Sequence, residues 1–127
     1  MARSSSCLYS FAMAKIQLKR AYDPPEEKDG ARFLVDRLWP RGIKKEDLHL
    51  SGWLKEIAPS NALRKWFGHD PDQWEEFQRR YLSELEGKTE ALQTLQQALR
   101  KGPVTLVYAA KDTERNNAVV LKEFLAA

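Results

Sequence analysis

The chain has 127 residues, 43% hydrophobic and 31% charged, with a formal net charge of +3 and a pI ≈ 9.0. That length fits one domain with one buried core, and the hydrophobic balance excludes a disordered chain. The basic excess is modest and interspersed with acids, so it does not favour a dedicated nucleic-acid binder.

Residues 1–14, MARSSSCLYSFAMA, carry a short apolar part broken by Tyr9 and Ser10, without the apolar region of a signal peptide. They are expected to form a poorly ordered N-terminal extension, with Met13 as an alternative start and 15–127 as the single domain. No run approaches the ~18 apolar residues of a membrane span, so no membrane association is expected. Cys7 is the one cysteine, which excludes an internal disulfide and fits a reducing, cytoplasmic setting. With His49 and His69 as the only histidines, neither a Cys-rich nor a His-rich metal site is possible. No cofactor is expected.

Residues 15–20, KIQLKR, alternate apolar and polar and predict a strand with one buried face. Pro24-Pro25 and Asp29-Gly30 then predict a loop. Residues 31–36, ARFLVD, predict a strand covered on both faces, ended by Pro40 and Gly42. Leu48, Leu50, Trp53, Leu54 and Ile57 suggest a partly helical stretch, with Ser51 as an N-cap and Pro59 as its stop. Ser60 is a second N-cap, for a short helix ending at Gly68. Asp70-Pro71 opens a longer helix, with Gln73 completing a capping box and Trp74, Phe77, Tyr81 and Leu85 forming one stripe. A further helix spans about 89–100, broken by Gly102-Pro103. VTLVYAA at 104–110 predicts a central strand, and 116–125 a final helix. Strands separated by helices favour an α/β fold: a small, mostly parallel sheet of three to four strands with helices packed against it. The first connection is too short for a helix, which leaves the direction of the first strand open.

Ligands of open α/β sheets bind at the carboxyl ends of the strands. This sequence places Arg20, Tyr22 and Asp23 after its first strand, and Asp36, Arg37, Trp39 and Arg41 after its second. Lys111, Asp112, Asn116 and Asn117 follow the last strand, at a helix start. Several cations with an aromatic ring or two suit a small anionic, phosphate-bearing or nucleotide-like ligand. Each residue also has a plain structural reading: Asp36 with Arg37 as a buried ion pair, Trp39-Pro40 as packing, Lys111-Asp112 as an exposed turn. His69 reads first as a packing or capping-neighbour residue, with a general acid/base role as its alternative, and the aromatic set from Trp53 to Tyr81 reads as core. There is no P-loop, no G-x-G-x-x-G and no cysteine after a strand, which disfavours triphosphatase, Rossmann and thiolate chemistry.

KIQLKRAYDPPEEKDGARFLVDRLWPRG, APSNALRKWFGHDPDQWEEFQRRYLSEL and VTLVYAAKDTERNNAVVLKEFL, in that order, resemble the YeaO-like family within the broader domain-of-unknown-function family 488. The resemblance covers about residues 15–126. It implies Asp36, Arg37, Arg41 and Lys111 as candidate reactive positions. It implies Arg20, Tyr22, Trp39, Asn116 and Asn117 as candidate ligand contacts. It brings no established activity. Longer relatives carry Cys and Cys-His-Arg where this chain has Ala109-Ala110-Lys111 and Glu114-Arg115-Asn116-Asn117, so thiol chemistry is not expected here. The leading expectation is an enzyme or binder for a small anionic ligand at the strand ends. A nucleic-acid-binding accessory protein and a non-catalytic protein-interaction domain are the alternatives. The residues alone set neither reaction, substrate nor oligomeric state.

Overall fold

The two apolar runs around Leu34 and Leu106 become the central strands of the sheet. The computed structural model describes residues 15–126; the expected N-terminal extension, residues 1–14, lies outside the described residues. The strands are β1 (Ile16–Arg20), β2 (Ala31–Leu34), β3 (Gly52–Trp53) and β4 (Val104–Tyr108). They pair in the order β1-β4-β2-β3, and every pairing is parallel. All five residues of β4 are buried, as a doubly covered parallel strand requires.

The open question of the first strand's direction is settled by an unusual connection. Residues 21–30 carry the chain from β1 to β2, past β4, with only the 3-10 turn Glu27–Asp29 on the way. Gly30, at φ 66°, closes this loop, and a Cβ there would sit 2.2 Å from the Pro103 carbonyl oxygen. That oxygen accepts the Ala31 amide at 3.1 Å, so backbone meets backbone where no side chain fits.

The helices are α1 (Lys45–Leu48), α2 (Asn61–Phe67), α3 (Trp74–Leu85), α4 (Thr89–Lys101) and α5 (Asn117–Ala126). The register puts Ile16, Val104 and Ala31 on one face of the sheet, followed by Leu18, Leu106 and Phe33. This face carries the main core, with Phe67, Phe77, Tyr81, Leu85, Leu95 and Leu121 packed against it from the four longer helices. Each fully buried Leu there contributes about 1.5–3 kcal/mol. The opposite face carries Gln17, Thr105 and Arg32, then Lys19, Val107 and Leu34. A small cluster of Leu34, Val107, Leu48 and Ala21, joined by Trp39 and Trp53, covers part of it.

Local signals mostly hold. The Ser60 hydroxyl caps α2 by accepting the Leu63 amide at 3.2 Å, and it donates to Glu84 at 2.7 Å. Asp70 caps the 3-10 turn Pro71–Gln73 that leads into α3. Two expectations fail. Ser51 is not an N-cap: its amide donates to the Arg32 carbonyl at 2.7 Å and the Leu54 amide to the Leu34 carbonyl at 2.9 Å. The backbone of 51–54 is thereby committed to the sheet edge, and no helix can form there. Gln73 completes no capping box. Its amide donates instead to the Trp66 and Phe67 carbonyls at 2.6 and 3.2 Å, tying the end of α2 to the start of α3.

Candidate functional site

Parallel strands end on one side of the sheet, so the loops after β1, β2 and β4 gather there. A cavity of ≈ 700 Å³ opens among them, closed on its far side by residues from 58–59, α2, His69 and α3. All the candidate site residues except Arg20 line it.

Asp36 lies two residues beyond β2 and is one of two acids in the cavity lining. Its Oδ2 accepts the Ala109 amide at 2.9 Å, and its Oδ1 accepts the Asn117 side-chain amide at 3.2 Å. The same Asn117 nitrogen donates to the Val35 carbonyl at 2.9 Å, so the start of α5 is pinned to the end of β2. Burial pushes the Asp36 carboxyl above the usual carboxylate range; the two hydrogen bonds and the His69 charge only partly oppose it. The Asp36–Arg37 ion pair is not formed. Arg37 turns away and donates to the Pro59 carbonyl at 3.3 Å and the Ala58 carbonyl at 3.4 Å. Lys88 donates to that same Ala58 oxygen, and burial, with the charge of Arg37, holds its amine below the usual lysine range.

The remaining candidates divide into braces and free cations. Trp39 donates to the Ile43 carbonyl at 2.7 Å and meets Trp53 edge-on at 5.3 Å, which fixes the loop carrying Arg41. The Tyr22 hydroxyl donates to the Arg41 carbonyl at 2.9 Å, bridging the loops after β1 and β2. Arg20 stays outside the cavity lining. Its guanidinium donates to the Ala110 and Ala109 carbonyls at 2.9 and 3.3 Å and lies 5.0 Å from the Tyr22 ring centre. It holds the cavity wall from behind. Asn116 is buried and caps α5, its Oδ1 accepting the Val119 amide at 3.0 Å.

Arg41 and Lys111 are exposed at the cavity, and Arg64 of α2 joins them there. Among the described residues these three cations have no ion pair and no side-chain hydrogen bond. Asp112, the second acid of the lining, is already engaged. It accepts the Glu114 and Arg115 amides at 2.9 and 3.0 Å, which hold its carboxyl below the ordinary range, and it pairs with the Arg115 guanidinium at 3.4 Å. Among the described residues no serine, threonine or cysteine lines the cavity. Among the described residues no cluster of three or more His, Cys, Asp or Glu could hold a metal ion.

Sequence reasoning missed Arg64 and undervalued His69. Arg64 lies within a helix, where nothing marks one arginine from another. His69, just beyond Gly68, takes the left-handed conformation at φ 59°, uncommon for a residue with a side chain. Its ring lies 5.9 Å from Phe67 and lines the cavity rather than the core.

A family model described as the inactive DUF488-N3 subclade matches residues 15–127. The uncharacterized protein YeaO of Escherichia coli (strain K12) is 50% identical over 110 residues, covering 87% of this chain and 96% of the relative. The uncharacterized proteins Mb3100c of Mycobacterium bovis and Rv3073c of Mycobacterium tuberculosis are each 39% identical over 111 residues, covering 87% of this chain and 93% of theirs. No solved structure matches the chain. The 50% identity to YeaO across most of both chains and the family match together place this chain in the YeaO-like DUF488 family, within the subclade described as inactive.

Proposed function

We propose that this protein binds a small anionic, phosphate-bearing ligand in the cavity at the strand ends and does not turn it over. The observation that carries the reading is the set of unpartnered cations, Arg41, Arg64 and Lys111, around one concavity whose acid Asp112 is already paired. Other exposed cations, such as Lys44, Lys65 and Lys101, are also unpaired among the described residues, so the reading rests on the gathering of three of them around one concavity. Planar guanidinium groups suit phosphate or carboxylate oxygens, and the start of α5 adds positive potential. The lack of a serine, threonine or cysteine among the described lining residues, and a subclade described as inactive, favour binding over catalysis.

Calorimetric titration of the full chain with inorganic phosphate tests this. Saturable binding is expected, weakened about tenfold or more in Arg41→Ala. No heat of binding, or equal affinity in the variant, would contradict the reading. The protein is expected to act in the cytoplasm, on the ground of its single cysteine, Cys7, which lies outside the described residues.

A further inference from the structure

The cavity holds more than a phosphate requires. At ≈ 700 Å³ it falls within the range of sites for small organic ligands, and inorganic phosphate would leave most of it empty. Its three unpartnered cations are exposed, whereas other parts of the lining are apolar: Pro59, Phe67 and Phe77 are buried against the core yet reach the cavity surface. The two phenylalanine rings stack with centres 4.3 Å apart. An anion gains nothing from such a wall; a flat apolar body does.

Asp36 supplies the third element. A carboxylate in an anion site repels the ligand unless it contacts a different part of it. Each Asp36 oxygen accepts one protein hydrogen bond, from Ala109 or from Asn117. A carboxylate offers about four acceptor positions, so capacity remains on both oxygens. Among the described residues no cation forms an ion pair with it: Arg37, its neighbour in sequence, is committed to the carbonyls of Ala58 and Pro59. A partly buried acceptor with spare capacity and no direct ion pair, only the His69 charge acting through space, is suited to N–H groups of a bound molecule.

Resting on the anion-binding reading above, we infer that the ligand is a nucleoside monophosphate. Its phosphate meets Arg41, Arg64 and Lys111, its base lies along the Phe67–Phe77 wall, and the N–H edge of the base is received by Asp36. A base with two adjacent donors, as guanine has, matches the two Asp36 oxygens best. A single phosphate fits because the cavity offers three cations that are unpaired among the described residues, enough to balance its charge.

Isothermal titration of the full chain with GMP, AMP, guanosine, ribose 5-phosphate and inorganic phosphate decides the matter. GMP is expected to bind about tenfold or more tighter than ribose 5-phosphate and phosphate, through the base, and tighter than AMP. It is expected to bind about tenfold or more tighter than guanosine, through the phosphate. In Asp36→Asn the advantage of GMP over ribose 5-phosphate should largely disappear while phosphate affinity is kept. The wild-type series stands on its own if that variant does not fold. Ribose 5-phosphate or phosphate binding as tightly as GMP would overturn the nucleotide inference and leave the anion reading intact. Guanosine binding as tightly as GMP would overturn the anion reading, and binding of none of the five would overturn both.

Discussion

Two aspartates flank β2, Asp29 before it and Asp36 after it, and the protein treats them in opposite ways. Asp29 is 2% exposed and sits in a closed knot. Its carboxylate pairs with Arg32 at 2.6 Å and Lys19 at 3.2 Å, and it accepts the Glu26 amide at 2.9 Å. Its backbone carbonyl takes the Thr105 hydroxyl at 2.7 Å. Burial alone would raise its pKa, but the Glu26 amide, Lys19 and Arg32 outweigh this and hold it below the ordinary value. Asp36 has hydrogen bonds but no cation, and burial raises it. One acid has been closed by the protein's own charges. The other is left facing a cavity whose cations, in turn, have no acid. Charge that a fold leaves unbalanced on both sides of one concavity is the mark of a site for an outside partner.

The sharpest way to break this comparison is to open the knot. Asp29→Ala would leave Arg32, itself 3% exposed, as an uncompensated buried charge. Its Nη2 atom already has no partner, so the guanidinium has little left to lean on. The expected loss is about 3–5 kcal/mol in denaturant unfolding; a loss below about 1 kcal/mol would remove the structural role given to this cluster.

The pH dependence separates the two acids by sign. Asp29, lowered in the folded state, contributes stability that is present above its ordinary value of 3.8 and is lost as pH falls through its folded pKa. Asp36, raised in the folded state, keeps its proton after the unfolded chain has released it. Stability therefore falls as pH rises from 3.8 through its folded pKa, and stays lower above it. Asp36→Asn should abolish that decline, at a pH-independent cost of about 1–3 kcal/mol because its amide nitrogen then faces a donor that an Asp36 oxygen received. Stability curves of both proteins measured across this range would show it, and an undiminished decline in the variant would count against the assignment.

The smallest effect on stability is expected at the cations of the cavity. Arg41→Ala or Lys111→Ala should leave unfolding within about 0.5 kcal/mol of the parent, since neither side chain has a partner to lose. The stabilisation conferred by added phosphate should fall in both. A variant that is strongly destabilised without ligand would mean the cation has a structural task.

The same contrast explains what the sequence made legible. Asp36, Arg37, Arg41, Lys111 and Asn117 could be placed because each follows an apolar run plainly readable as a strand, and parallel strands deliver their exits to one place. The knot around Asp29 could not. Asp29-Gly30 reads as a turn, and nothing local shows that Lys19 and Arg32, on different strands, converge on it. β3 was hidden for a similar reason. Leu50, Trp53 and Leu54 have helical spacing, while the pairing of Gly52–Trp53 with β2 depends on contacts distant in sequence. Arg64, His69, Phe67 and Phe77 enter the cavity from helical segments, where their spacing is fully accounted for by packing. Arg20 is the last residue of β1 rather than one that follows it, and its guanidinium is spent on the carbonyls of Ala109 and Ala110.

The most direct measurement is a pH titration of the side-chain carboxyl carbons of Asp29 and Asp36 by NMR, in one sample, with and without GMP. Asp29 should titrate below 3.8 and Asp36 above it, and GMP should move the Asp36 resonance while leaving Asp29 in place. Asp36 titrating at or below its ordinary value, or GMP moving neither resonance, would contradict the division between a closed knot and an open site.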